Sequence, residues 1–394
     1  MSSPHPHVTD GVQTADLFDF AAGQIKDAAT TLWPGEPVTL LGHVPSVTGY
    51  VQRVLIGDRR LFAKASILGV SLVSILRGLY GTMPDVQRAQ LAYAARADNL
   101  PRREAAQLTF LAELGRPQVC SLAGVHGGVL FTEVADGQSL VARLASDPGQ
   151  TAALLGMVLA ELDDLHALDH RHLDRVGSID QRGIAATFTR KFSGPDGDAY
   201  ARTIGAHRVQ PEQRRAVMAL LRASIPVLLE CRPPVSPMVV AYGDLKPEHA
   251  LFPDSGAPPL LLDPGLRTAW HAEDLARLIS RTLLQAVTDM DLPALGKVLA
   301  GVSAVVEQHA RTTAQPTRWL RNLTTLWLMD TISIVSSYLT APPDLPLPRQ
   351  GEAVARRPLL VATVVYKAAT ALGRHGTASV WESALSRAVQ GVLA

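Results

Sequence analysis

The chain has 394 residues, a hydrophobic fraction of 47% and a charged fraction of 19%. That leaves room for two or three domains, or one two-lobed unit, around a large core, and it excludes a disordered chain. The formal net charge of +1 gives no reason to expect nucleic acid or an anionic membrane as the main partner.

The first segment, "MSSPHPHVTDGVQTADLF", lacks a basic region followed by an apolar one, so no signal peptide is expected. Residues 1 to about 14 read as a frayed polar tail. Residues 15–32 place Leu17, Phe18, Ala21 and Ile25 at helical spacing, which predicts a covering amphipathic helix. "WPGEP" breaks it. Three strand-like segments follow: "VTLLGHV", "GYVQRVLIG" and "RRLFAKASIL". Gly57-Asp58 is a good tight turn between the last two. Helix is expected from about Pro84. Pro101 marks a boundary, and "RREAAQLTFLAELG" ends at Gly115, a suitable C-cap. "GVLFTEV" reads as a buried strand. A connector near 133–137 leads into a part that is mostly helical.

The order predicts an α+β chain: a tail and helix over 1–35, a small β-rich part over 36–133, and a larger helical part over 134–394. The apolar stretch Trp319 to Leu339 is interrupted by Arg321 and Asp330. It predicts a buried helix, not a membrane span, which needs about 20 nearly uncharged residues. The two cysteines, Cys120 and Cys231, form no CxxC or Cys/His cluster. No zinc site is expected, and a reducing, cytoplasmic setting is.

Chemistry concentrates in "YGDLKPEHALF", Tyr242 to Phe252, and "LLLDPGL", ending at Leu266. Phosphoryl transfer needs a cation on the phosphates, metal ligands and a carboxylate that orients the attacking hydroxyl. Asp244 lies in a polar segment between two apolar runs and suits the last role. Lys246 can neutralise developing charge. A capped polar turn with a solvated lysine would read the same way. Asp263 ends an apolar strand and is a hard oxygen ligand suited to Mg²⁺, although Asp before Pro-Gly also starts ordinary turns. The two carboxylates are 19 residues apart, and the turn "PDSGAPP" should bring them close.

Lys64 in "LFAKAS" is either a solvent-facing strand residue or the phosphate-binding cation. Its expected partner is Glu104, which shares a helical face with Leu108 and Leu111. Ser46, Thr48 and Gly49 in "HVPSVTGY" could cover phosphates with amides and hydroxyls, without a GxGxxG pattern. His166, His170 and His172 could pass for a metal cluster; helix-end positions account for them as well.

Taken together, "YGDLKPEH…LLLDPG", "LAELDDLHAL" and "FTEVADGQSL" resemble the aminoglycoside phosphotransferase and choline-kinase-like superfamily over roughly residues 38–285. The resemblance implies a two-lobed protein-kinase-like fold, ATP and Mg²⁺; the softer imidazole of His249 would suit Mn²⁺ as an alternative ion. It implies Asp244 as catalytic aspartate, Asp263 as main metal ligand, Lys64 and Glu104 as phosphate-positioning pair, and the backbone of Glu133 and Val134 against adenine. Three departures stand out. Tyr242 replaces the usual His. His249 replaces the metal-binding Asn, which puts the second metal site in question. Pro-Gly follows Asp263.

More narrowly, "VPSVTGYVQRV" and "AKASILGVSLVSILRGLYG" are similar to kinase subunits of class V lanthipeptide synthetases. That similarity implies phosphorylation of Ser or Thr in a precursor peptide and a separate lyase partner. A small-molecule phosphotransferase and a non-catalytic pseudokinase scaffold are the alternatives. Basic residues over 180–220, among them Arg182, Arg190 and Lys191, weigh against a polycationic acceptor.

Overall fold

The computed structural model describes residues 11–233 and 238–374. The polar tail expected over residues 1 to about 14 lies largely outside them. The chain divides into two compact units. The first takes the chain up to Ala105, Ser121–Val134 and Ala341–Pro348; the second takes Ala106–Cys120, Ala135–Thr340 and the chain from Arg349.

The first unit is built on a five-stranded antiparallel sheet in the order β1-β2-β3-β5-β4. Its strands are β1 (Val38–Val44), β2 (Tyr50–Ile56), β3 (Arg59–Ala65), β4 (Leu122–His126) and β5 (Val129–Glu133). Three of the expected segments form β1 to β3, and Gly57 turns at φ 57°. β4 was not expected: "LAGVH" is short, lacks alternation and contains a glycine. The helix Thr14–Leu32 buries Leu17, Ala21 and Ile25 as its spacing predicts. Leu61, Ala63 and Ala65 of β3 are buried. The strand's period of two sends Lys64 to the opposite face.

The second unit is mainly helical. It contains a small sheet, β6 (Gln138–Ser139), β8 (Ala250–Phe252) and β9 (Leu260–Leu261), and an antiparallel pair, β7 (Met238–Ala241) with β10 (Arg267–Trp270). β8 and β9 pair Ala250 with Leu261 and Leu251 with Leu260. This is the hairpin expected across "PDSGAPP". Two helices, Glu273–Asp289 and Pro316–Thr340, pack against each other and are buried over most of their lengths. The apolar Trp319–Leu339 stretch lies in the second. No described helix is long and apolar enough to cross a membrane.

Candidate active site

The loop from Tyr242 to His249 runs between β7 and β8. Gly243 has φ 83°, and a Cβ there would stand 2.0 Å from the Gly265 carbonyl oxygen. Only glycine fits both constraints. The amides of Tyr242 and Gly243 donate to the two carboxylate oxygens of Asp274, each at 2.8 Å. Asp274 sits in the first turn of the Glu273–Asp289 helix and is buried. His166 Nε2 lies 3.1 Å from the same carboxylate. Burial alone would raise the Asp274 carboxyl, but His166 and the two amides hold it below the usual range.

The loop is also tied to the Asp263 segment. Gly265 N donates to the Tyr242 carbonyl at 2.9 Å, and the Tyr242 hydroxyl donates to the Leu262 carbonyl at 2.9 Å. A Cβ on Gly265 would be 3.6 Å from Asp244 Cβ. The two motifs therefore lie side by side, as their spacing predicted. Tyr242 is fully buried. It fills its position and adds a hydroxyl link to Leu262, the residue before Asp263.

Asp244 is buried, with a side chain 11% exposed. Lys246 Nζ lies 2.9 Å from its Oδ2, and Arg182 Nη1 3.8 Å from that oxygen. Arg277 Nη1 lies 3.4 Å from Oδ1. Burial pushes the carboxyl up, but Lys246, Arg182 and Arg277 outweigh it and hold it well below the usual carboxylate range. Such a group stays ionised. It accepts and aims a hydroxyl proton well, and it is a weak base.

Asp263 adopts a left-handed backbone, φ 54°, unusual for a residue with a side chain. Its side chain is 36% exposed, and its Oδ2 lies 3.9 Å from His249 Nε2. His249 Nδ1 is buried without a hydrogen-bond partner among the described residues. Burial and Lys246 keep this imidazole neutral. Among the described residues no three His, Cys, Asp or Glu side chains gather to hold a metal. Asp263 fits Mg²⁺ as one hard ligand, with the remaining positions left to phosphate oxygens and water. The His249 nitrogen suits Mn²⁺ or Zn²⁺ better than Mg²⁺.

In the first unit, Lys64 Nζ lies 3.1 Å from Glu104. Glu104, Leu108 and Leu111 are all buried, the shared face their spacing predicts. The β1–β2 turn is closed by Ser46 Oγ, which accepts from Thr48 N at 3.2 Å and Gly49 N at 3.4 Å. These amides are thus already engaged by Ser46. Glu133 ends β5, and its carboxylate pairs with Arg59 at 2.5 Å. Val134 follows, 43% exposed.

Sequence reasoning missed what surrounds Asp244. Neither Arg277, inside "DLARLISRTL", nor Asp330 was singled out for the site, and Arg182 was read only as part of a basic run. One signal was visible: Asp330 interrupts an otherwise apolar helix. The basic run is not a uniform solvated face. Lys191 is half-buried, and its Nζ donates to the Ser333 carbonyl at 2.7 Å and to Ser337 Oγ at 2.6 Å.

No family model and no curated protein matches the chain. Solved structures do. An aminoglycoside-3'-phosphotransferase of type VIII is similar at 21% identity and TM-score 0.47, covering 78% of this chain and 99% of that one. An ethanolamine kinase from Plasmodium vivax is similar at 11% identity and TM-score 0.44, covering 82% of each chain. An amicoumacin kinase, solved with AMP-PNP, Ca²⁺ and its antibiotic, is similar at 12% identity and TM-score 0.48, covering 85% of this chain and 89% of that one.

Proposed function

We propose that the protein is an ATP-dependent phosphotransferase acting on a hydroxyl group. The observation that carries this reading is Asp244: an ionised, buried carboxylate on a glycine-turned loop, next to Lys246 and hydrogen-bonded through its loop to the Asp263 segment. Transfer from ATP asks little covalent chemistry of a protein. It asks for a positioned acceptor and charge stabilisation. In this reading Asp244 accepts the hydrogen bond of the acceptor hydroxyl and points its oxygen at the γ-phosphorus. Lys246 neutralises charge that develops on the transferred group. Asp263 holds the divalent ion, which would screen the phosphate charge when bound. Lys64, oriented by Glu104, is the cation assigned to the nucleotide phosphates.

The finer reading is that the acceptor is a Ser or Thr of a ribosomally made precursor peptide, with a lyase partner that eliminates the phosphate. Its support is the likeness of the 44–54 and 63–81 segments to class V lanthipeptide synthetase kinases. The small-molecule reading takes an aminoglycoside-type antibiotic or a metabolite instead. The three cations around Asp244 weigh against a polycationic sugar. Incubation with ATP and Mg²⁺ separates the two readings: intact mass should gain one phosphoryl group on a Ser/Thr peptide and not on an aminoglycoside. Phosphorylation of the antibiotic alone would reverse the choice.

A further inference from the structure

Arg277 stands between two carboxylates. Its Nη1 is 3.4 Å from Asp244 Oδ1 and 3.5 Å from Asp330 Oδ1, and its Nη2 donates to the Arg182 carbonyl. Asp330 reaches in from the Pro316–Thr340 helix. Its Oδ2 accepts from Arg281 Nε at 2.9 Å, and Arg281 lies one turn beyond Arg277 on the Glu273–Asp289 helix. Asp330 thus bridges two arginines on one helix face and neutralises one of them. The surplus charge is directed at Asp244. The side chains of Arg277, Arg281 and Asp330 are each less than 10% exposed.

The chemistry makes this arrangement costly for stability alone. A buried ion network is often no more stable than apolar side chains of the same volume. What it does supply is direction. Lys246 and Arg182 engage only Asp244 Oδ2; Arg277 on Oδ1 anchors the second oxygen from the other side and tightens the plane of the carboxylate. A carboxylate that aims a hydroxyl must be fixed closely, since a displacement of about 1 Å can cost roughly 100-fold in rate.

We propose that Arg277, held by Asp330, is a positioning residue that fixes the Asp244 carboxylate for transfer. Its catalytic meaning rests on the phosphotransferase reading; the physical link does not. Two readouts therefore test it. The first is Mg²⁺-dependent ATP hydrolysis with water as acceptor. Arg277→Met should lower kcat about 10- to 100-fold with KM for ATP within about twofold of the parent. Arg277→Lys should recover part of the loss. Asp330→Asn should lower kcat as well, and adding it to Arg277→Met should cost little more, because the two act as a unit. A merely structural role would lower thermal stability without separating kcat from KM.

The second readout needs no turnover. With ¹³C-labelled aspartate, the carboxylate signal absent from Asp244→Asn identifies Asp244. That signal should move in Asp330→Asn, because Arg277 links Asp330 to Asp244. An unmoved signal in both Asp330→Asn and Arg277→Lys overturns the proposal, whatever the kinetics. A moved signal in a protein that neither binds nor hydrolyses ATP supports the link and defeats the phosphotransferase reading instead.

Discussion

Lys64 Nζ stands 3.1 Å from the carboxylate of Glu104, whose side chain is 1% exposed. A buried carboxylate paired with a half-buried ammonium fixes the lysine's direction, and such a pair is disrupted by removing either member. Lys64→Ala should raise the KM for ATP about tenfold, the equivalent of about 1.4 kcal/mol and of one charge-assisted hydrogen bond. Glu104→Gln should raise it less, because the lysine charge remains. An unchanged KM in Lys64→Ala would remove Lys64 from the nucleotide site.

Asp274 should matter to folding more than to binding. It accepts from two loop amides at 2.8 Å. Asp274→Ala leaves both buried donors unsatisfied and should cost about 3 kcal/mol in urea denaturation, at about 1–3 kcal/mol per group. Asp274→Asn keeps one acceptor oxygen and should cost less. A loss below about 1 kcal/mol in the alanine variant would mean that water or a neighbouring group takes the amides.

Stability should decline on the acid side of neutrality. Burial depresses His43, His249 and His271 below their ordinary value. A histidine held neutral in the folded state favours folding fully above its unfolded value near 6.5. That contribution is lost as pH falls from about 6.5 through the folded value, because the unfolded chain takes up the proton first. The Tm should therefore drop as pH falls below about 6.5, and His271→Gln should flatten part of the drop. A Tm that rises as pH falls there would contradict the burial of neutral imidazoles.

His249 lies 3.9 Å from Asp263, with its other ring nitrogen unpartnered among the described residues. If Asp263 carries the ion alone, His249→Asn should keep or improve Mg²⁺-dependent turnover, and the parent should favour Mn²⁺ relative to that variant. Loss of all turnover in His249→Asn, with the parent active, would assign the imidazole a role of its own.

Much of this was legible in the sequence because the signals are local. β1 to β3 announce themselves by alternation and by the Gly57-Asp58 turn. The strand pattern leaves Lys64 open between solvent and a phosphate site; its pairing with Glu104 comes from expecting a glutamate partner on the helix whose face Leu108 and Leu111 share. The adjacency of Asp244 and Asp263 follows from one hairpin. The surroundings of Asp244 were not legible. Arg182 and Arg277 reach the Asp244 carboxylate from segments far apart in the chain, and Asp330 reaches Arg277 from a third; only tertiary packing brings them together. β4 escaped for a different reason: a short edge strand with a glycine has too little pattern to stand out. The β1–β2 turn read only as a loop whose amides and hydroxyls could cover phosphates; that Ser46 takes two of those amides was not legible.

The central claim is that Asp244 orients an acceptor hydroxyl and does not hold the nucleotide. The most direct measurement compares the parent with Asp244→Asn, reading phosphoryl transfer from Mg²⁺-ATP and nucleotide affinity on the same preparations. The account predicts that transfer is abolished while the Kd for ATP changes by less than about threefold, under 1 kcal/mol. Preserved transfer in Asp244→Asn, or a lost affinity for ATP with turnover intact, would contradict it.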